Sequence, residues 1–181
     1  MINHKGTATL ETERLLLRRL TTGDAQEAYD SWTNDPEVTR FLRWNAHENV
    51  DVTMKWITDN ENKYSDPAFY EWGIQLKKTG RLIGAIGAVD EDGEPGRTEI
   101  GYCIGKAFWN QGYMTEALKC VVSYLSGDVG IKGFVAKHAV DNPASGAVLT
   151  HTGFGFICDS SYQSFDGTRE FESRVYNLDI P

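Results

Sequence analysis

The succession of segments in this 181-residue chain predicts an α/β (α+β) domain: a mixed, mainly antiparallel central sheet of about seven strands, flanked by helices on both faces. Three observations carry that expectation. A first strand pattern at residues 14–20 is followed by a long helical stretch. Three strand patterns at residues 70–77, 82–89 and 98–104 are then joined by short turns, which reads as an antiparallel meander. A strand–helix–strand run comes last, which makes the sheet mixed and places helices on its faces.

Each element has its own cue. Residues 14–20 are Arg-Leu-Leu-Leu-Arg-Arg-Leu, and Thr21-Thr22-Gly23-Asp24 supplies a turn and a helix cap. Residues 25–32 are helical. Asn34-Asp35-Pro36-Glu37 opens another short helix, proline being tolerated in a first turn. Residues 47–63 form a third helical stretch with Val50, Met54 and Ile57 at helical spacing. Lys78-Thr79-Gly80 turns between the first two meander strands, and residues 91–96, Glu-Asp-Gly-Glu-Pro-Gly, make a loop before the third. A helix over 112–125 buries Ala117, Val121, Tyr124 and Leu125; a strand at 133–138, a helix at 143–151 and two strands from Phe154 to near Leu178 complete the chain. No repeat, low-complexity segment or linker divides it, so residues 1–181 form a single domain.

Composition narrows the function. Hydrophobic residues at 40% and charged residues at 24% give a globular balance, and no apolar run approaches a membrane span. The opening Met-Ile-Asn-His-Lys-Gly has no hydrophobic signal region, so a cytoplasmic location is expected. Cys103, Cys120 and Cys158 cannot all pair and have no C-x-x-C spacing, so free thiols are expected. A net charge of −8 without clustered Lys and Arg argues against a nucleic-acid partner. His138 and His151 lack metal-ligand spacing, and no metal is expected.

The most informative segment is residues 108–117, Phe-Trp-Asn-Gln-Gly-Tyr-Met-Thr-Glu-Ala, between a strand and a helix. A helix entered through a glycine turn presents unpaired N–H groups and the positive end of its dipole, a cradle for phosphate oxygens. An ordinary glycine turn into a helix has the same look. The run from Gly101 to Lys106 is one residue short of a P-loop, and no G-x-G-x-x-G follows the first strand.

Four segments, in order and spread over nearly the whole chain, resemble the GNAT acetyltransferase superfamily, in its branch similar to RimJ/RimL protein N-terminal acetyltransferases. They are residues 13–18, residues 34–38, Glu99-Ile100-Gly101-Tyr102 with the loop from Trp109 to Ala117, and Asn142-Pro143-Ala144-Ser145 running on to Gly153-Phe154. The family loop reads Q/R-x-x-G-x-G/A; here Trp109 takes the first place, Gly112 the fourth and Met114 the last, a large residue where the pattern has a small one. The resemblance implies acetyl-CoA as co-substrate, with its pyrophosphate on the backbone of Gln111, Gly112, Tyr113, Met114 and Thr115. It also implies polarisation of the thioester by the backbones of Cys103 and Ile104, and an acceptor site near Arg40 and Phe41.

Acetyl transfer to an amine needs a neutral amine, and an α-amine of pKa ~8 is about one-tenth neutral at pH 7, against about one in 2,500 for a lysine amine. Glu99 is the candidate base, acting directly or through water: alternation puts 99, 101 and 103 on one strand face, with small neighbours beside the carboxylate. A solvated glutamate on an open sheet face fits the same pattern. Asn142 and Ser145 fit a helix N-cap and first-turn residue; the resemblance gives Asn142 the pantetheine arm and brings Ser145 near the sulfur. Tyr102 and Tyr162 are further hydroxyl donors, and Tyr70 and Trp72 are aromatic candidates for the acceptor pocket. The chemistry expected is direct transfer to a primary amine, with a protein N-terminus as acceptor; a small amine, or a non-catalytic acyl-CoA sensor, are the alternatives. The assembly expected is a monomer or homodimer.

Overall fold

Apolar alternation along the strands decides how the sheet is covered. In the structure, a computed structural model describing residues 2–90 and 97–181, eight strands form one sheet. They are β1 (Leu10–Glu11), β2 (Leu15–Arg18), β3 (Tyr70–Leu76), β4 (Leu82–Asp90), β5 (Arg97–Ile104), β6 (Gly133–Ala139), β7 (Gly155–Gln163) and β8 (Glu170–Asp179). Their order is β1-β2-β3-β4-β5-β6-β8-β7, and β5–β6 is the parallel pair. The strand beyond the expected seven is β1, whose two residues are too few for a periodic signal. The loop read at 91–96 lies outside the described residues.

One face, here the back, carries Leu15, Leu17, Tyr70, Trp72, Ile74, Ile83, Ile86 and Ile100 against α4 (Tyr113–Tyr124) and α5 (Pro143–His151). The front packs Leu82 and Ala85, with Leu20, against α1 (Ala25–Ala28), Trp32 and α3 (Val50–Lys63). Between α1 and α3 lies the short α2 (Pro36–Thr39), entered at Asp35, whose side chain accepts from the Glu37 amide. The helix expected over 25–32 widens into a π turn at Tyr29–Thr33, which carries Trp32 and Thr33 fully into the core. Helix α3 starts at Val50 rather than 47 because Asn49 caps the amides of Asp51 and Val52. Its buried stripe is Thr53, Ile57 and Asn60; Met54 is exposed.

One feature of the ladder prepares a site. Among the described residues, β5 and β6 pair only at Arg97↔Gly133, Thr98↔Phe134 and Glu99↔Val135. Beyond that point β5 stays with β4 as far as Ile104, and β6 stays with β8 as far as Ala139. The two strands therefore diverge toward their C-terminal ends and open a V in the middle of the sheet.

Candidate active site

The V leads into the loop before α4. Gly112 sits at φ 77° and Asn110 at φ 59°, a left-handed geometry that glycine adopts without cost and asparagine tolerates. Gly112 is the N-cap of α4 and gives it no side-chain cap, so among the described residues nothing engages the amides of Tyr113, Met114 and Thr115 at the positive end of the helix dipole. The large residue that departs from the family pattern does no harm, because the Met114 side chain is buried in the core. The Trp109 indole donates to the Ile104 carbonyl at 2.8 Å and pins the loop to the end of β5.

A brace from the other end of the sheet holds the same loop. Arg14 donates to the Gln111 carbonyl at 3.0 Å and to the Glu116 carboxylate at 2.7 Å, and its guanidinium lies 4.3 Å from the Tyr113 ring centre. Glu116 also accepts from the Arg14 amide and the Thr12 hydroxyl. Burial pushes the Glu116 carboxyl up, but hydrogen bonds from Thr12 and Arg14 outweigh it and hold the group below its usual range. Glu116→Gln should therefore raise the KM for acetyl-CoA about tenfold, roughly 1.4 kcal/mol, with kcat nearly unchanged; saturation kinetics in acetyl-CoA at a fixed acceptor concentration check this.

The ladder also decides which amides face the V. Gly105 donates to Ile83 at 2.8 Å, and residues along an antiparallel pair alternate between bonded and non-bonded positions. With Gly84 opposite Ile104, the amide of Cys103 is therefore spent on Ala85 of β4, while those of Tyr102 and Ile104 turn into the V. The Cys103 amide, expected to face the thioester, is thus turned to β4, whereas the Ile104 amide lies on the side of the V. The Cys103 thiol is pushed up to about 12 by burial and is no nucleophile.

Across the V, the Tyr102 hydroxyl meets Ser145 Oγ at 3.1 Å and the Ser145 carbonyl at 3.2 Å. Burial pushes Tyr102 up to about 12, so it stays a proton-bearing donor. Asn142 caps α5, its side-chain oxygen accepting from the Ser145 amide at 3.4 Å; among the described residues nothing engages its Nδ2. Glu99 projects to the front and accepts from Lys137 of β6 at 3.0 Å.

The 39–44 segment at the front is held by a clamp that has no local signal in the sequence. Arg169, just before β8, donates to the carbonyls of Thr39, Arg40, Leu42 and Trp44 at 3.0–3.4 Å. Tyr162 donates to the Phe41 carbonyl at 2.6 Å, which commits a hydroxyl considered above as a donor. The segment holding Arg40 and Phe41, with the guanidinium 5.0 Å from the ring centre, is thus fastened over the front of the sheet. Tyr70 and Trp72 must be withdrawn from the acceptor site. Both are buried on the back face, at 3% and 0% exposure, stacked 5.9 Å apart, and the Trp72 indole donates to Ala8. Alternation turns their neighbour Glu71 to the front instead. No local signal marked Glu71 or Arg169, because their partners lie on other strands or loops.

An amide-lined helix start opening into a V between parallel strands, with a hydroxyl pair on one wall and carboxylates in front, defines an acetyl-CoA-dependent N-acetyltransferase. The chain belongs to the GNAT family: the acetyltransferase (GNAT) domain family matches residues 14–155. It is 33% identical over 175 residues to the uncharacterized N-acetyltransferase YoaA of Bacillus subtilis (strain 168), covering 95% of this chain and 97% of that one. Its fold resembles a putative ribosomal-protein-serine acetyltransferase from Vibrio cholerae, with TM-score 0.83, 18% identity, and 96% and 98% of the two chains covered. It equally resembles RimL, a ribosomal L7/L12 alpha-N-protein acetyltransferase solved in complex with coenzyme A, with TM-score 0.82, 18% identity and the same coverage. Among the described residues no helix is long and apolar enough to cross a membrane, and no group of three or more His, Cys, Asp and Glu side chains could hold a metal ion.

Proposed function

We propose that the protein acetylates a primary amine, and that the acceptor is the N-terminal α-amine of a protein. The observation that carries this is the V between β5 and β6, which runs from the free amides of α4 to the Tyr102–Ser145 pair and is open toward the front face. Acetyl-CoA supplies the acetyl thioester. The amides of Tyr113, Met114 and Thr115 hold its pyrophosphate, those of Tyr102 and Ile104 stabilise the developing oxyanion, and Asn142 Nδ2 serves the pantetheine arm. Ser145, hydrogen-bonded to Tyr102, donates toward the sulfur as thiolate develops. Glu99, beside Lys137 at the mouth, passes the amine's proton to solvent. The acceptor class is supported by the likeness to the Vibrio cholerae enzyme and RimL, both named for ribosomal-protein acceptors.

The test is thiol release from acetyl-CoA against N-terminal peptides, polyamines and amino acids, with Ser145→Ala and Glu99→Gln alongside. N-terminal peptides should be turned over best, and each variant should lower kcat about tenfold or more. A preference for polyamines would give the site to a small amine, and acetyl-CoA binding without turnover on any acceptor would replace the enzyme with a sensor.

A further inference from the structure

We propose that Glu71 is a catalytic residue, the carboxylate that takes the proton directly from the acceptor amine in a slot on the front face floored by Gly87 and Gly101. The proposal rests on the amine-acetylating reading above and deepens it. Glu71, Gly87 and Gly101 lie directly opposite one another on β3, β4 and β5. All three belong to the front set of the alternation, with Gly101 between Glu99 and Cys103. Neighbouring strands lie about 4.8 Å apart, which a glutamate side chain can span. It does so here: a Cβ added at Gly87 would collide with Glu71 Oε2, so the carboxylate lies across the β4 backbone toward β5. A Cβ added at Gly101 would meet nothing within 4 Å, and Gly101 is exposed. Beyond the carboxylate there is therefore open space, next to the strand whose amides face the V.

Glu71 is the less committed of the two front carboxylates. Glu99 is bound by Lys137, whereas no hydrogen bond from a described residue reaches the Glu71 carboxylate. The charged and titratable groups around it are Lys63 of α3, Tyr64 and the Cys103 thiol of β5. Tyr64 spends its hydroxyl on the Leu20 amide and on the Glu71 carbonyl rather than on the carboxylate. An acid so placed is costly to ionise and stabilises the fold little, which is the usual condition of a working acid–base group. Burial, only partly offset by Lys63, pushes it up to about 8. That brings the carboxyl toward the range of an α-ammonium, pKa ~8.

In the step, an ammonium N–H bond breaks and an O–H bond forms on Glu71. The electron pair left on nitrogen makes the new C–N bond, the C–S pair departs on sulfur, and the second amine proton ends on the released thiol. The Glu71 proton returns to solvent past Glu99.

The experiment compares the full chain with Glu71→Gln, which keeps the shape and removes the base. The substrates are acetyl-CoA and the tripeptide amide, bearing a free N-terminus, that the panel shows to be turned over best. The expected result is a kcat/KM for peptide lowered about a hundredfold or more and an acetyl-CoA KM within twofold of wild type. A second readout does not depend on turnover. The folded value of about 8 lies above the ordinary 4.5, so the stability tied to protonated Glu71 is complete below pH 4.5 and lost as pH rises through 8. The wild-type Tm should carry that loss, and the Gln variant should lack it. Peptide turnover by wild type matched within twofold by the variant overturns Glu71 alone, as does the same pH dependence of Tm in both proteins. No turnover by wild type with any amine overturns the amine-acetylating reading, and Glu71 with it.

Discussion

Gly112→Val should raise the KM for acetyl-CoA about a hundredfold while the protein still folds. Gly112 holds φ 77° at the entrance to α4, where an L-residue costs about 1–2 kcal/mol and a β-branched one is worse. The nearest atom to an added Cβ is Arg14 Nη2 at 3.5 Å, an ordinary contact, so no core atom has to move. The strain is relieved instead by rotating the loop, which would turn the first amides of α4 away from the pyrophosphate they are proposed to hold. Hydrogen bonds to a charged group contribute about 1.5–3 kcal/mol each, so misdirecting even one or two reaches the hundredfold level. Saturation kinetics and calorimetry with coenzyme A would measure it. An unchanged affinity for coenzyme A would mean that the pyrophosphate does not rest on this helix start.

The second large effect belongs to the clamp. Arg169→Met removes donors to four carbonyls of the segment from Thr39 to Trp44 and leaves those carbonyls dependent on solvent. A loss of about 3 kcal/mol in unfolding free energy is expected, together with a kcat/KM for the acceptor lowered tenfold or more. The acetyl-CoA KM should hardly move, because the clamp touches neither the V nor the loop before α4. Arg169→Lys should not restore the wild type, since one ammonium cannot reproduce a planar fork reaching carbonyls on several residues. Urea denaturation and acceptor kinetics on the three proteins decide it, and a Met variant as stable as wild type would show the clamp to be idle.

The particular residues show how much could be read in advance. Helix α5 is legible to the residue at its start, where Asn142 caps and Pro143 opens the first turn. The loop at Gly112 was found because a strand, a glycine and an amphipathic helix occur in immediate succession. By contrast, Tyr70 and Trp72 are candidates for the acceptor pocket in the sequence, and the sheet sends both to the core, where size and apolarity also place them. The residue that does face the cleft, Glu71, sat between them unremarked, since a glutamate in a strand looks solvated until its neighbours are known.

The sequence by itself determined the elements, the loop that presents the α4 amides and the membership of the chain in its family. Those depend on residues close together along the chain, where periodicity, capping and φ preferences act directly. Tertiary structure alone decided where β5 leaves β6, which amides of β5 face the gap, that Glu99 is tied to Lys137 and Glu71 is not, and that Arg169 fastens the loop from Thr39 to Trp44. Each of these depends on strand order and register between segments far apart in sequence. A shift of one residue in register exchanges every inward and outward side chain, so the positions of the catalytic groups were legible only once the sheet was assembled.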